Sequence, residues 1–134
     1  MQTAEQSIVV NAPPEAAFER WMRMEDFPRF WTTIGEVRQL DPKRFYVRGE
    51  QAGQQYEMEA ELILQIPGRR IAWRTTSGPA SSGVICFEPQ PGGQTRVILK
   101  ILFEPDVGWQ EPAAVSERVT SALAKFKELV DQPS

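Results

Sequence analysis

Apolar residues recur along this chain in two rhythms. "QSIVVNA" reads as a first strand. In "PPEAAFERWM" that follows, Ala17, Phe18, Trp21 and Met22 fall on one face at helical spacing. Pro14 suits the first turn of that helix, and Glu15 complements the positive end of its dipole. Pro28 and the rings around it predict a second, shorter helix over Glu25 to Phe30, separated from the first by a break at Arg23 or Met24.

From Gly35 the rhythm changes to period two. "EVRQL" and "RFYVRGE" flank a turn at Asp41 and Pro42, and the longer run "YEMEAELILQI" follows. Its alternation places Tyr56, Met58, Ala60, Leu62 and Leu64 on one face and Glu57, Glu59 and Glu61 on the other. A two-residue turn at Pro67 and Gly68 sets Leu64 opposite Ile71, Leu62 opposite Trp73 and Glu61 opposite Arg74. A three-residue loop over Pro91 to Gly93 sets Phe87 opposite Val97, Ile85 opposite Leu99 and Glu88 opposite Arg96. In both hairpins apolar meets apolar and acid meets base. The pattern predicts an antiparallel meander over residues 43–104 and six or seven strands in all.

After Pro112 the helical rhythm returns. Val115, Val119, Ala122, Leu123, Phe126, Leu129 and Val130 form a stripe, with Glu117, Arg118, Lys125, Lys127 and Glu128 mostly elsewhere. Strand, two short helices, meander and one long amphipathic helix make an α+β arrangement in which the apolar faces of sheet and helix must cover one another.

Composition narrows the function classes. The 134 residues suit one domain, 1–134, able to bury roughly two thirds of the surface of its unfolded chain. Cys86 is the sole cysteine and histidine is absent, which removes internal disulfides, zinc signatures and the usual neutral-pH proton carrier. A net charge of -3 argues against nucleic acid and anionic lipid as partners. "MQTAEQSIVV" has no basic start, and no segment has the length and apolarity of a membrane span. The expectation is a cytoplasmic protein, monomer or homodimer, with no cofactor and no metal.

In their order, "SIVVNAPPEAAFERWMRMEDFPRF", "PGRRIAWR", "SGVICFEP", "TRVILKILFEP" and "LAKFKEL" give the chain a resemblance to the START-like, helix-grip superfamily labelled SRPBCC. Within it the chain is similar to small bacterial polyketide cyclase/dehydrase-like proteins. The resemblance implies a START/Bet v 1-like fold: an antiparallel sheet curved around the last helix, with a cavity between them partly closed by the two short helices. It implies an apolar small molecule as partner, a lipid, polyketide-like or aromatic. "WMRMEDFPRFW" would be the aromatic lid and rim, its outer side kept wet by Arg23, Glu25, Asp26 and Arg29. Candidate lining residues are Phe30, Trp31, Tyr56, Met58 and Trp73, together with Ile85, Phe87, Phe103, Trp109 and Phe126. Any of these rings can instead simply fill a core.

The same family includes carriers, cyclases and chaperone activators, so an enzyme and a protein-interaction module stand as alternatives. A cyclase or dehydratase without histidine would rest on Tyr56, Arg48 or a buried carboxylate. Arg48 and Tyr46 share a strand face; turned inward, Arg48 would anchor a carboxylate or carbonyl, and turned outward it is a surface charge. Glu57, Glu59 and Glu61 are spaced at roughly 6.6 to 6.8 Å, a separation inverting glycosidases use, but period-two polarity reads them as a solvated face. Cys86, opposite Ile98, shows no basic or helix-terminal setting in the sequence and reads as structural. "SGPASSG" is a strand connection at the cavity mouth, and Trp109, in a loop signal, caps the last helix or gates the pocket.

Overall fold

The computed structural model describes residues 2–31, 34–51, 53–78, 81–103 and 112–131. β1 (Gln2–Val10) leads into α1 (Pro14–Met22), a 3-10 turn at Met24–Asp26 and the short α2 (Phe27–Phe30). β2 (Ile34–Asp41), β3 (Arg44–Gln51), β4 (Gln54–Ile66), β5 (Arg70–Ser77), β6 (Ser81–Gln90) and β7 (Gln94–Phe103) follow, and α3 (Pro112–Asp131) closes the order. All seven strands form one antiparallel sheet in the order β1-β7-β6-β5-β4-β3-β2. The α+β arrangement expected from the sequence, two short helices after the first strand, an antiparallel meander and one long last helix, is the one found. No described helix is long and apolar enough to cross a membrane.

The chain leaves α1 at Arg23, whose ψ of 72° departs from the helical region, so the break falls where Pro28 required one. Ala17, Phe18 and Trp21 turn inward from α1, and Met24, Phe27 and Phe30 from the turn and α2. Arg23, Glu25 and Arg29 stay exposed, and Asp26 pairs with Arg20 at 3.2 Å. Trp21 contacts Phe27, Phe30 and Phe126 at ring separations of 5.1 to 5.5 Å, which makes this segment a packed aromatic cluster under α3.

The β6–β7 hairpin has the expected register: Phe87 opposite Val97, Ile85 opposite Leu99, Glu88 opposite Arg96 and Cys86 opposite Ile98. Gly92 and Gly93 take φ of 80° and 75°, a region that costs glycine nothing. The β4–β5 hairpin departs from expectation at its tip. Leu62 does face Trp73 and Glu61 does face Arg74, but Leu64 faces Ala72, and Ile71 faces Gln65. The connection is a three-residue loop, Pro67 to Arg69, and a bulge between Leu62 and Leu64 takes up the extra residue on β4. The bulge turns Leu64 off the inward face predicted for it; Ile63, Leu64 and Ile66 are exposed.

Val115, Val119, Ala122, Leu123 and Phe126 of α3 are buried, and the helix lies chiefly along β1. Its end is tied to β1 by Lys127 Nζ donating to the Val9 carbonyl (2.9 Å), and to the residue after that strand by Asp131 accepting from the Asn11 amide (2.8 Å). The fully buried Thr95 hydroxyl donates to the Ala12 carbonyl at 2.7 Å, pinning the β1–α1 connection to β7.

Candidate functional site

α3 packs against β1 at one edge of the sheet and α1 over β6, and among the described residues no helix packs comparably on β3, β4 or β5. A chamber of about 110 Å³ lies there. Period-two alternation supplies its wall: Phe45 and Val47 from β3, Tyr56, Met58, Ala60 and Leu62 from β4, and Ile71 and Trp73 from β5. Phe103 and Ile101 of β7 continue it, Trp21, Met24 and Phe27 close one side, and Val115 and Arg118 of α3 close another. Ala60, Ile71 and Phe103 are at most 2 % exposed and form the depth, whereas Trp31, Ile34, Met58, Trp73, Ser81 and Arg118 are half-buried and mark the mouth.

Three described lining residues carry a polar side chain: Tyr56, Ser81 and Arg118. Burial pushes the Arg118 guanidinium below its ordinary value, and its interaction with Tyr56 acts the other way. Arginine keeps its proton in any such setting, so the site presents a cation.

Of the residues expected to line a cavity, Trp31, Tyr56, Met58, Trp73 and Phe103 come together on its wall. Phe30, Ile85, Phe87 and Phe126 do not line it; they lie in the packed core, each no more than 3 % exposed. Phe126 packs on Trp21 and Phe30, and Phe87 on Phe18 at 5.6 Å, because α3 and α1 cover that part of the sheet. Trp109 lies outside the described residues. Of "SGPASSG", Ser81 stands at the mouth and its amide donates to the Thr75 hydroxyl.

Arg48 turns outward and pairs with Glu36 at 3.1 Å, so it anchors nothing inside. The glutamate row is likewise an outer face: Glu57 accepts from the Tyr46 hydroxyl at 2.9 Å, and Glu61 pairs with Arg74 at 2.6 Å. Sequence reasoning missed Arg118, which it set beside the apolar stripe of α3. The signal was present in the spacing, since Val115, Arg118 and Ala122 stand at i, i+3 and i+7 on one helix face. Among the described residues no group of three acidic or thiol side chains could hold a metal ion.

Residues 10–125 match the family described as polyketide cyclase / dehydrase and lipid transport. An uncharacterized 17.2 kDa protein of Streptomyces lincolnensis is 30% identical, covering 98% of this chain and 91% of its own. A START superfamily protein from Mycobacterium smegmatis superposes with a TM-score of 0.85 at 15% identity, over 97% of each chain. The Zhui aromatase/cyclase from Streptomyces sp. R1128 superposes with a TM-score of 0.78 at 18% identity, over 96% of this chain and 93% of that one. At those identities the two structures share the fold alone.

Proposed function

The chain belongs to the polyketide cyclase/dehydrase and lipid transport family, the START-like or SRPBCC group, and on that premise we propose that it binds an apolar small molecule in the chamber over β3 to β5. The observation that carries the reading is the lining: of the eighteen described side chains around the chamber, fifteen are apolar and three are polar. Such a surface gains roughly 25 cal/mol for each Å² of ligand hydrocarbon it takes out of water.

The volume sets the scale of the occupant. An apolar cavity of roughly 150 Å³ takes up one benzene, so about 110 Å³ with an open mouth suits one ring or a short branched acyl chain. A fused polycycle would need the mouth to widen. Native mass spectrometry of the purified protein, with solvent extraction of anything retained, tests the reading. A bound apolar molecule, or saturable uptake of toluene by the free protein, supports it; a protein that retains nothing and takes up no toluene overturns it.

Cyclisation of a polyketide-type substrate is the second reading, favoured by Tyr56 and Arg118 facing one chamber. A cation and a phenol at a carbonyl oxygen would stabilise an enolate as it forms. With Arg48 outside, that role falls to Arg118.

A further inference from the structure

The chamber has two chemically different ends. Its depth, at Ala60, Ile71 and Phe103, offers hydrocarbon contact alone. Its mouth holds Arg118, the one charged side chain among the described residues that line it, and Tyr56 lines the same chamber. Arg118 projects from the second turn of α3, a twenty-residue helix, and Val115 one turn before it is 4 % exposed and fixes that face against the chamber.

A guanidinium drawn partly out of water is the best protein partner for a carboxylate. Its fork of N–H groups matches both oxygens, and the surrounding apolar wall lowers the local dielectric. A neutral apolar ligand would gain nothing from it. We propose that the chamber selects small apolar carboxylic acids, holding the carboxylate at the mouth on Arg118, with Tyr56 as a second donor, and the hydrocarbon among Met58, Trp73 and Phe103. The inference rests on the ligand-binding reading and adds the polarity and orientation of the ligand to it. The volume restricts the class further, to acids built on one ring or a short branched chain.

Calorimetric titration at pH 7 with phenylacetate, phenylacetamide and toluene separates the two levels. The acid should bind at least about tenfold tighter than the amide, which has the same ring and reach but no charge. Arg118→Gln should erase that preference while the variant still takes up toluene, which reports a chamber that remains formed. Arg118→Lys should keep part of the preference, and Tyr56→Phe should weaken it by less than Arg118→Gln does. If toluene binds but the acid is no better than the amide, or if the preference survives in Arg118→Gln, the inference is overturned and the chamber reading stands. If none of the three probes binds, both fall.

Discussion

Trp73 lies across Gly83, its partner on the neighbouring strand, so closely that a β-carbon on Gly83 would stand 2.3 Å from Cζ2 of the indole. The missing side chain is what lets the ring lie flat on β6 and form part of the chamber wall. Gly83→Ala should therefore cost about 1 to 3 kcal/mol in urea unfolding, the usual range for forcing extra volume into a packed site. In a Trp73→Ala background the same substitution should cost clearly less, and a cycle of the four proteins measures that coupling directly.

Phe126 is the ring on which α3 turns toward the aromatic segment, fully buried and in edge contact with Trp21 and Phe30 at 5.1 and 5.4 Å. Phe126→Ala should destabilise the fold by about 3 to 5 kcal/mol, read from chemical denaturation. It is a core residue and not a lining one, so any variant that stays folded should keep its preference among ligands of similar size.

The glutamate row gives a prediction of opposite kind. Glu57→Gln and Glu61→Gln remove one outer-face hydrogen bond and one surface ion pair, worth at most about 1 kcal/mol each, and should leave ligand uptake unchanged. A loss of uptake on neutralising either carboxylate would show that the outer face communicates with the chamber.

Asp131 gives a pH dependence. Burial alone would raise its carboxyl, but hydrogen bonds from Lys127 and from the Asn11 amide, with the Lys127 charge, hold it below the ordinary value of 3.8. A carboxyl depressed in the folded state stabilises in full above the unfolded value and loses that contribution as pH falls through the lowered folded one. Asp131→Asn should cost under about 1 kcal/mol at pH 7, since the pair is solvent-exposed, and the difference from wild type should close below about pH 4. Thermal unfolding of both proteins across that range reads it.

Thr95 tests the buried hydrogen bond. Thr95→Val keeps the shape and leaves the Ala12 carbonyl without its donor, at an expected cost of about 1 to 3 kcal/mol in urea unfolding.

Much of this could be read from the chain because local rules agreed with one another. At Pro91 to Gly93 the loop length, the two glycines and the cross-strand pairs all imply one register, and that register is found. The break at Arg23 followed from Pro28 in the same way. The β4–β5 tip was misread because two irregularities of one residue cancel: the loop adds one and the bulge absorbs it, so Leu62 and Trp73 still meet. The site was harder to read because alternation says only that a side chain points inward. Phe87 and Phe103 satisfy it equally, and which fills the core and which faces the chamber depends on where the helices lie on the sheet. Arg118 is hidden for the opposite reason: charge ordinarily marks the wet side of a helix, and this helix also borders a chamber.

The cancelling pair in the β4–β5 hairpin also bears on how such a chain can change by descent. A lineage that lost only the unpaired Ile63 would keep the three-residue turn and the pairs Leu64–Ala72, Gln65–Ile71 and Ile66–Arg70, now continuous with Leu62–Trp73. Losing both at once would return the simpler hairpin with no net change in the pairing of Glu61 with Arg74. A hairpin shorter by that one residue thus has its gap at Ile63, and a gap placed in the turn instead would align the wrong faces.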